Sequence, residues 1–99
     1  MGCKVWVAAS AAWEARRISR WWHKHRSAAP RLFDHELAHA IELIEAHPSI
    51  GTRTHHPVHG RVQFLLLPRT RIRVFYVFFP ITDEAGIVYI RHARRRPAR

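Results

Sequence analysis

The spacing of apolar residues changes once along this chain, at Gly51. Before it, apolar positions recur at helical intervals. Ala11, Ala15, Ile18 and Trp22 fall on one side of a wheel, while Arg16, Arg17, Arg20 and Lys24 fall elsewhere. That spacing predicts an amphipathic helix over residues 11–25, with Ser10 as its N-cap and Glu14 in its first turn. A second stripe runs through Phe33, Leu37, Ala40, Ile41 and Ile44. It predicts a second helix, capped by Ser27 with Pro30 in the first turn and stopped by Pro48 and Gly51. The link between the two is short, so they should form an antiparallel hairpin.

Two-residue alternation dominates after Gly51, and β-branched and aromatic residues become dense. "RVQFLLLP" (61–68), "RIRVFYVFF" (71–79) and "GIVYIRHA" (86–93) each read as strands, and "KVWVA" (4–8) reads as a short one at the start. "TRTHHPVHG" (52–60) reads as a loop. The expected order is β-α-α-β-β-β, an α+β fold with the hairpin on one face of a small, mostly antiparallel sheet. Residues 1–93 should form a single domain and 94–99 a basic C-terminal tail.

Charge sharpens this picture. The chain of 99 residues carries 17 Lys+Arg against 7 Asp+Glu, a formal net of +10. Beyond residue 50 every one of the ten basic residues is Arg, opposed only by Asp83 and Glu84. Such a field favours phosphate backbones, acidic proteins or anionic lipid. Arginine suits bidentate grips on phosphate or carboxylate. Cys3 is the lone cysteine, so no internal disulfide is possible. The N-terminal stretch fits neither a secretory signal nor a myristoylation site. "VFYVFFPI" is too short to span a bilayer, so a cytoplasmic protein with no membrane partner is expected.

The order of elements, the length and the basic second half resemble the RelE/ParE superfamily, the toxins of bacterial type II toxin–antitoxin systems. The resemblance covers nearly the whole chain. It is carried by "IEAHPSIG", "GRVQFLLLPRTRIRVFYVF" and "VYIRHARRRP", with Arg73, Val74 and Tyr76 on the third strand and His92 before an Arg-rich end. These last features look more like the ParE branch than the RelE branch. The resemblance implies a cognate acidic antitoxin. It also implies one of two targets, DNA gyrase for ParE-like members or messenger RNA on the ribosome for RelE-like ones.

Candidate residues follow. Arg69, Arg71 and Arg73, with Arg94, Arg95 and Arg96 of the tail, form a stripe suited to a target or nucleic acid. Arg71, Arg73, Phe75 and Val77 are expected on one strand face, and Ile72, Val74 and Tyr76 on the other. Trp21, Arg71, Arg73 and Phe75 are candidate antitoxin contacts. Were the protein a nuclease, Arg61, Arg73 and His92 would supply its cations and acid–base group. Many relatives carry a basic residue where this chain has Val77, and no lysine follows residue 24. Both points favour a non-catalytic, gyrase-binding toxin without a cofactor.

One motif points elsewhere. "HELAH" (35–39) matches the H-E-x-x-H signature of zinc hydrolases. On a wheel starting at Phe33, His35 and His39 fall at about 200° and 240°, opposite the apolar stripe. With Glu42 they could touch a metal weakly, and "HHPVHG" (55–60) could offer a distant third ligand. A catalytic zinc needs three protein ligands in a closed cleft. His35, Glu36 and His39 are therefore expected to be a surface coincidence, with no metal.

Overall fold

The computed structural model describes residues 2–93. Five strands and two helices follow one another: β1 (Lys4–Val7), α1 (Ala9–His25), α2 (Leu32–Ala46), β2 (Thr52–His56), β3 (Gly60–Leu67), β4 (Ile72–Phe79) and β5 (Glu84–His92). They build one sheet in the order β1-β5-β4-β3-β2. β1 runs parallel to β5, and every other neighbouring pair is antiparallel. The class is α+β, as the change of period implies.

Both helices pack on one face. Phe33, Ala40 and Ile44 of α2 and Ala11 of α1 are buried against Ile72, Val74, Tyr76, Ile87 and Ile90 of the sheet. Each fully buried Ile, Val or Phe side chain contributes about 1.5–3 kcal/mol. Leu37 and Ile41 are partly buried against the same core, so the second apolar stripe seats α2 as its spacing implies. His23 Nε2 lies 3.0 Å from Asp34 Oδ2 and ties α1 to α2.

The sequence expectations need correction in three places. Residues 52–56 are not loop but strand β2, paired with β3 through Thr54↔Val62 and its neighbours. β2 lies at the sheet edge and is polar on both faces, so it carries no alternating apolar signal. The helix caps also differ. α1 starts at Ala9 behind Ala8, and α2 at Leu32 behind Arg31, and neither cap makes a side-chain hydrogen bond. Ser10 lies inside α1, and Ser27 and Pro30 lie in the connection. Packing against the sheet, rather than capping chemistry, sets where these helices begin. Finally, Arg71 is not on a strand. It sits in the β3–β4 turn with φ 64°, so it does not continue the face of Arg73 and Phe75.

Two contacts fix the frame. Tyr76, fully buried, receives a hydrogen bond from the Gly51 N–H at 2.9 Å and donates to the Pro48 carbonyl at 2.8 Å. Any side chain at Gly51 would run into that phenol. The second contact starts at Glu36. It accepts the Arg69 N–H at 2.9 Å on one oxygen, and the Thr70 N–H (3.1 Å) and hydroxyl (2.8 Å) on the other. Thr70 is only 3% exposed. α2 is thus fastened to the β3–β4 turn.

Candidate binding surface

The sheet face away from the helices carries an aromatic cluster. Phe75 lies within ring-contact distance of Phe64 (5.4 Å), Tyr89 (5.6 Å) and His56 (6.0 Å). His56 meets Tyr89 at 4.6 Å and His59 at 4.8 Å. Cations border it. The Arg73 guanidinium lies 5.0 Å over the Phe64 ring, and Arg91 donates to the Tyr89 hydroxyl at 2.7 Å. Arg73 and Arg91 are cross-strand partners.

A β-bulge makes this cluster. Phe75 pairs with Tyr89 but Tyr76 pairs with Ile87, so Val88 is the extra residue. The bulge lets Ile87 and Ile90 both enter the helix-side core while Tyr89 turns to the opposite face.

His56 has a specific role. Its Nδ1 accepts the backbone N–H of Val58 at 3.0 Å and of His59 at 3.2 Å. In that tautomer the proton sits on Nε2, so the ring presents a donor to the surface. Burial holds its pKa below the usual value, and the neighbouring His59, Arg91 and His55 push the same way. His56 clasps the β2–β3 turn and is not poised as a base.

The second part of the surface is a groove of about 830 Å³ between α1 and the far end of β5. Its floor includes Ile18, Trp22, Ile72 and Ile90, and Arg17, Arg20, Arg26, Arg69, Arg71 and Arg91 stand around it. Among the described residues Glu14 is the one acidic side chain in its wall, and it pairs with Arg17 at 3.1 Å. Trp22 packs on the core, whereas Trp21 is exposed. Trp21 stacks on the His25 ring at 4.8 Å, and the Arg26 guanidinium lies over it at 4.9 Å.

The candidate residues from the sequence separate into groups here. Arg69, Arg71 and Trp21 line the groove, together with His92. Arg73 and Phe75 belong to the aromatic face, and Phe75 is 9% exposed, sealed by its neighbours. Cross-strand partners share a face. His92 is opposite Ile72, a helix-side residue, so it lies across the sheet from Arg73. Arg61 is opposite His55 at the other end of β3 from Leu66, the partner of Arg73. Five residues of strand put Arg61 about 17 Å from that position. Arg61, Arg73 and His92 therefore do not converge. Arg94, Arg95 and Arg96 lie outside the described residues. His35 and His39 are exposed, and Glu36 between them is turned to Thr70. Among the described residues no three metal-ligating side chains converge.

Sequence reasoning missed Arg91, Arg20 and Arg26 in the groove, and His56 and His59 at the aromatic face. The pairing of β4 with β5 brings Arg91 beside Arg73, and only the register reveals that. No protein-family model matches the chain, and no curated protein matches it. Among the described residues, no helix is long and apolar enough to cross a membrane.

Proposed function

We propose that this chain is the toxin half of a bacterial type II toxin–antitoxin pair, ParE-like, which disables DNA gyrase in the cytoplasm by binding to it. An acidic antitoxin neutralises it. One observation carries the reading: the groove sets six arginines around an apolar floor with a single carboxylate in its wall. A surface of that kind grips carboxylates or phosphates, which suits a toxin that acts by binding. His92 is the one histidine among the described lining residues, and His56, on the aromatic face, gives its Nδ1 to the β2–β3 turn.

The test is a gyrase supercoiling assay with purified protein. Inhibition at stoichiometric toxin, relieved by the acidic protein encoded next to it, is the expected result. Unimpaired supercoiling would remove gyrase as the target.

A second reading is favoured by Arg73, Arg91, Tyr89 and His59 on the free sheet face. Two guanidiniums beside a phenol and an imidazole could stabilise a pentacovalent phosphate, as a RelE-like messenger RNA endoribonuclease requires. Cleavage of mRNA on ribosomes that is lost in Arg73→Ala, with supercoiling untouched, would establish that alternative.

A further inference from the structure

The sheet has two edges, and only one is guarded. β2 closes one side with Thr52, Arg53, Thr54 and His55, all exposed. Polar and charged side chains of that kind keep an edge from pairing with another chain. β1, at the other edge, reads Lys-Val-Trp-Val. Trp6 and Val7 are 37% and 39% exposed, and Lys4 is the one charged residue of the strand. The Trp6 indole lies on Gly86, where any side chain would run into it. It stacks beside Phe79 at 6.2 Å and donates its Nε1–H to Glu84 at 3.3 Å. Phe79 is itself 41% exposed. An apolar patch therefore runs up to an edge that has no strand beside it among the described residues.

The backbone groups of β1 divide by residue. The Lys4 N–H goes to the Asp83 carbonyl at 3.1 Å, and the Ala8 N–H to the Ile87 carbonyl at 2.8 Å. Peptide groups alternate in direction along a strand, so Lys4, Trp6 and Ala8 turn theirs to β5, and Val5 and Val7 turn theirs outward. Beyond them on either side, the Cys3 N–H is taken by the Glu45 carbonyl at 2.9 Å and α1 begins at Ala9. Only one antiparallel register of two such strands uses both valines of each. Trp6 faces Trp6, and Val5 faces Val7 of the other copy. Both copies then keep their helices on the same side of the sheet, because Val5 and Val7 share a face. The pairing maps onto itself under a two-fold axis, the commonest symmetry of protein dimers.

Charge also selects this edge. A chain of net charge +10 repels its own copy over most of its surface. Glu45, Asp83 and Glu84 lie beside β1, three of the chain's 7 acidic residues, against Lys4. Here two copies approach with the least repulsion.

We propose that β1 pairs antiparallel with β1 of a second copy about a two-fold axis at Trp6, joining two five-stranded sheets into one. Each Val5 exchanges N–H and C=O hydrogen bonds with Val7 of the other copy. The dimer goes beyond the toxin reading and does not depend on it.

The experiment measures the mass of the full chain by sedimentation, from about 1 to about 100 μM at physiological salt. The mass should climb from 11.7 kDa to a plateau at twice that value. A monomer throughout, or a mass that rises past the dimer, overturns the proposal. Val7→Pro removes an N–H that β5 does not use, and Val7→Lys places a charge on the edge. Each should weaken the dimer at least tenfold, whereas Thr54→Lys on the opposite edge should leave it within twofold. A dimer unchanged in Val7→Pro, or weakened equally by the two lysines, overturns the edge assignment. Circular dichroism checks that each variant is folded. Cross-linking tests the register in a Cys3→Ser background. Facing residues of a non-hydrogen-bonded pair lie about 4.5 Å apart at Cα, within disulfide reach, so Trp6→Cys should join two copies on oxidation. The two Val7 residues lie two positions out of register, more than about 7 Å apart, so Val7→Cys should couple at least tenfold more slowly. Equal rates overturn the two-fold at Trp6.

Discussion

Thr70 gives both its backbone N–H and its hydroxyl to one carboxylate oxygen of Glu36, at 3.1 and 2.8 Å, and the other oxygen holds the Arg69 N–H. The glutamate of HELAH is thus a clamp between α2 and the β3–β4 turn. Removing it in Glu36→Ala leaves the donors of buried Thr70 without an acceptor. The expected loss is about 2–3 kcal/mol, read by urea unfolding. His35→Ala and His39→Ala, at exposed positions, should stay within about 0.5 kcal/mol. A larger effect of either histidine than of Glu36 would contradict this assignment.

Tyr76 gives a second prediction. Tyr76→Phe removes the acceptor of the buried Gly51 N–H and the donor to Pro48. The cost should be about 1–3 kcal/mol. Burial also raises the phenol pKa above its usual value near 10. The folded state therefore holds this proton more tightly than the unfolded chain. The resulting stability is intact below about pH 10 and is lost as pH rises through the folded pKa. Unfolding free energies measured from pH 8 to 11 should fall more steeply for the parent protein than for Tyr76→Phe.

His56 behaves in the opposite sense. Its pKa is lowered from 6.5 by burial and by the cations around it. The unfolded chain binds this proton more readily. The contribution is present above about pH 6.5 and is lost as pH falls through the folded pKa. An NMR titration should place His56 below the usual histidine value of 6.5. His56→Asn, which keeps an acceptor for the turn amides, should flatten the stability profile between pH 7 and pH 5.

Arg71→Gly separates strain from function. Glycine adopts φ 64° without steric cost, so stability should rise by up to about 1 kcal/mol in thermal or urea unfolding. Inhibition in the gyrase supercoiling assay should weaken at the same time. Unchanged inhibition together with higher stability would show that the guanidinium takes no part in binding at the groove.

Much of the fold is legible in the sequence because burial writes itself as periodicity. Phe33, Leu37, Ala40, Ile41 and Ile44 announce α2, and Ile72, Val74 and Tyr76 announce the helix-side face of β4. β2 is illegible because Thr52, Arg53, Thr54 and His55 are all exposed at an edge. Their pairing is paid for by backbone hydrogen bonds that leave no trace in residue type. The site is less legible than the fold. Arg69, Arg71 and Arg73 alternate in sequence as though on one strand, yet the left-handed residue at Arg71 ends the turn between them. The bulge at Val88 moves Tyr89 to the free face, and nothing in "GIVYIRHA" marks it. Arg20, Arg26 and Arg91 meet only once α1 is laid beside β5.

The parallel pairing of β1 with β5 has a consequence for synthesis. Val5 lies opposite Ala85, so β1 joins the sheet only through β5, the last in sequence of the five described strands. Until β5 emerges, β1 has no neighbour to pair with, and the groove wall formed by Tyr89, Ile90 and Arg91 does not exist. Closing so distant a contact is slow compared with forming a local hairpin. The β2–β3 and β3–β4 hairpins can therefore pair before β1 finds its place, and the groove is among the later parts of this fold to form.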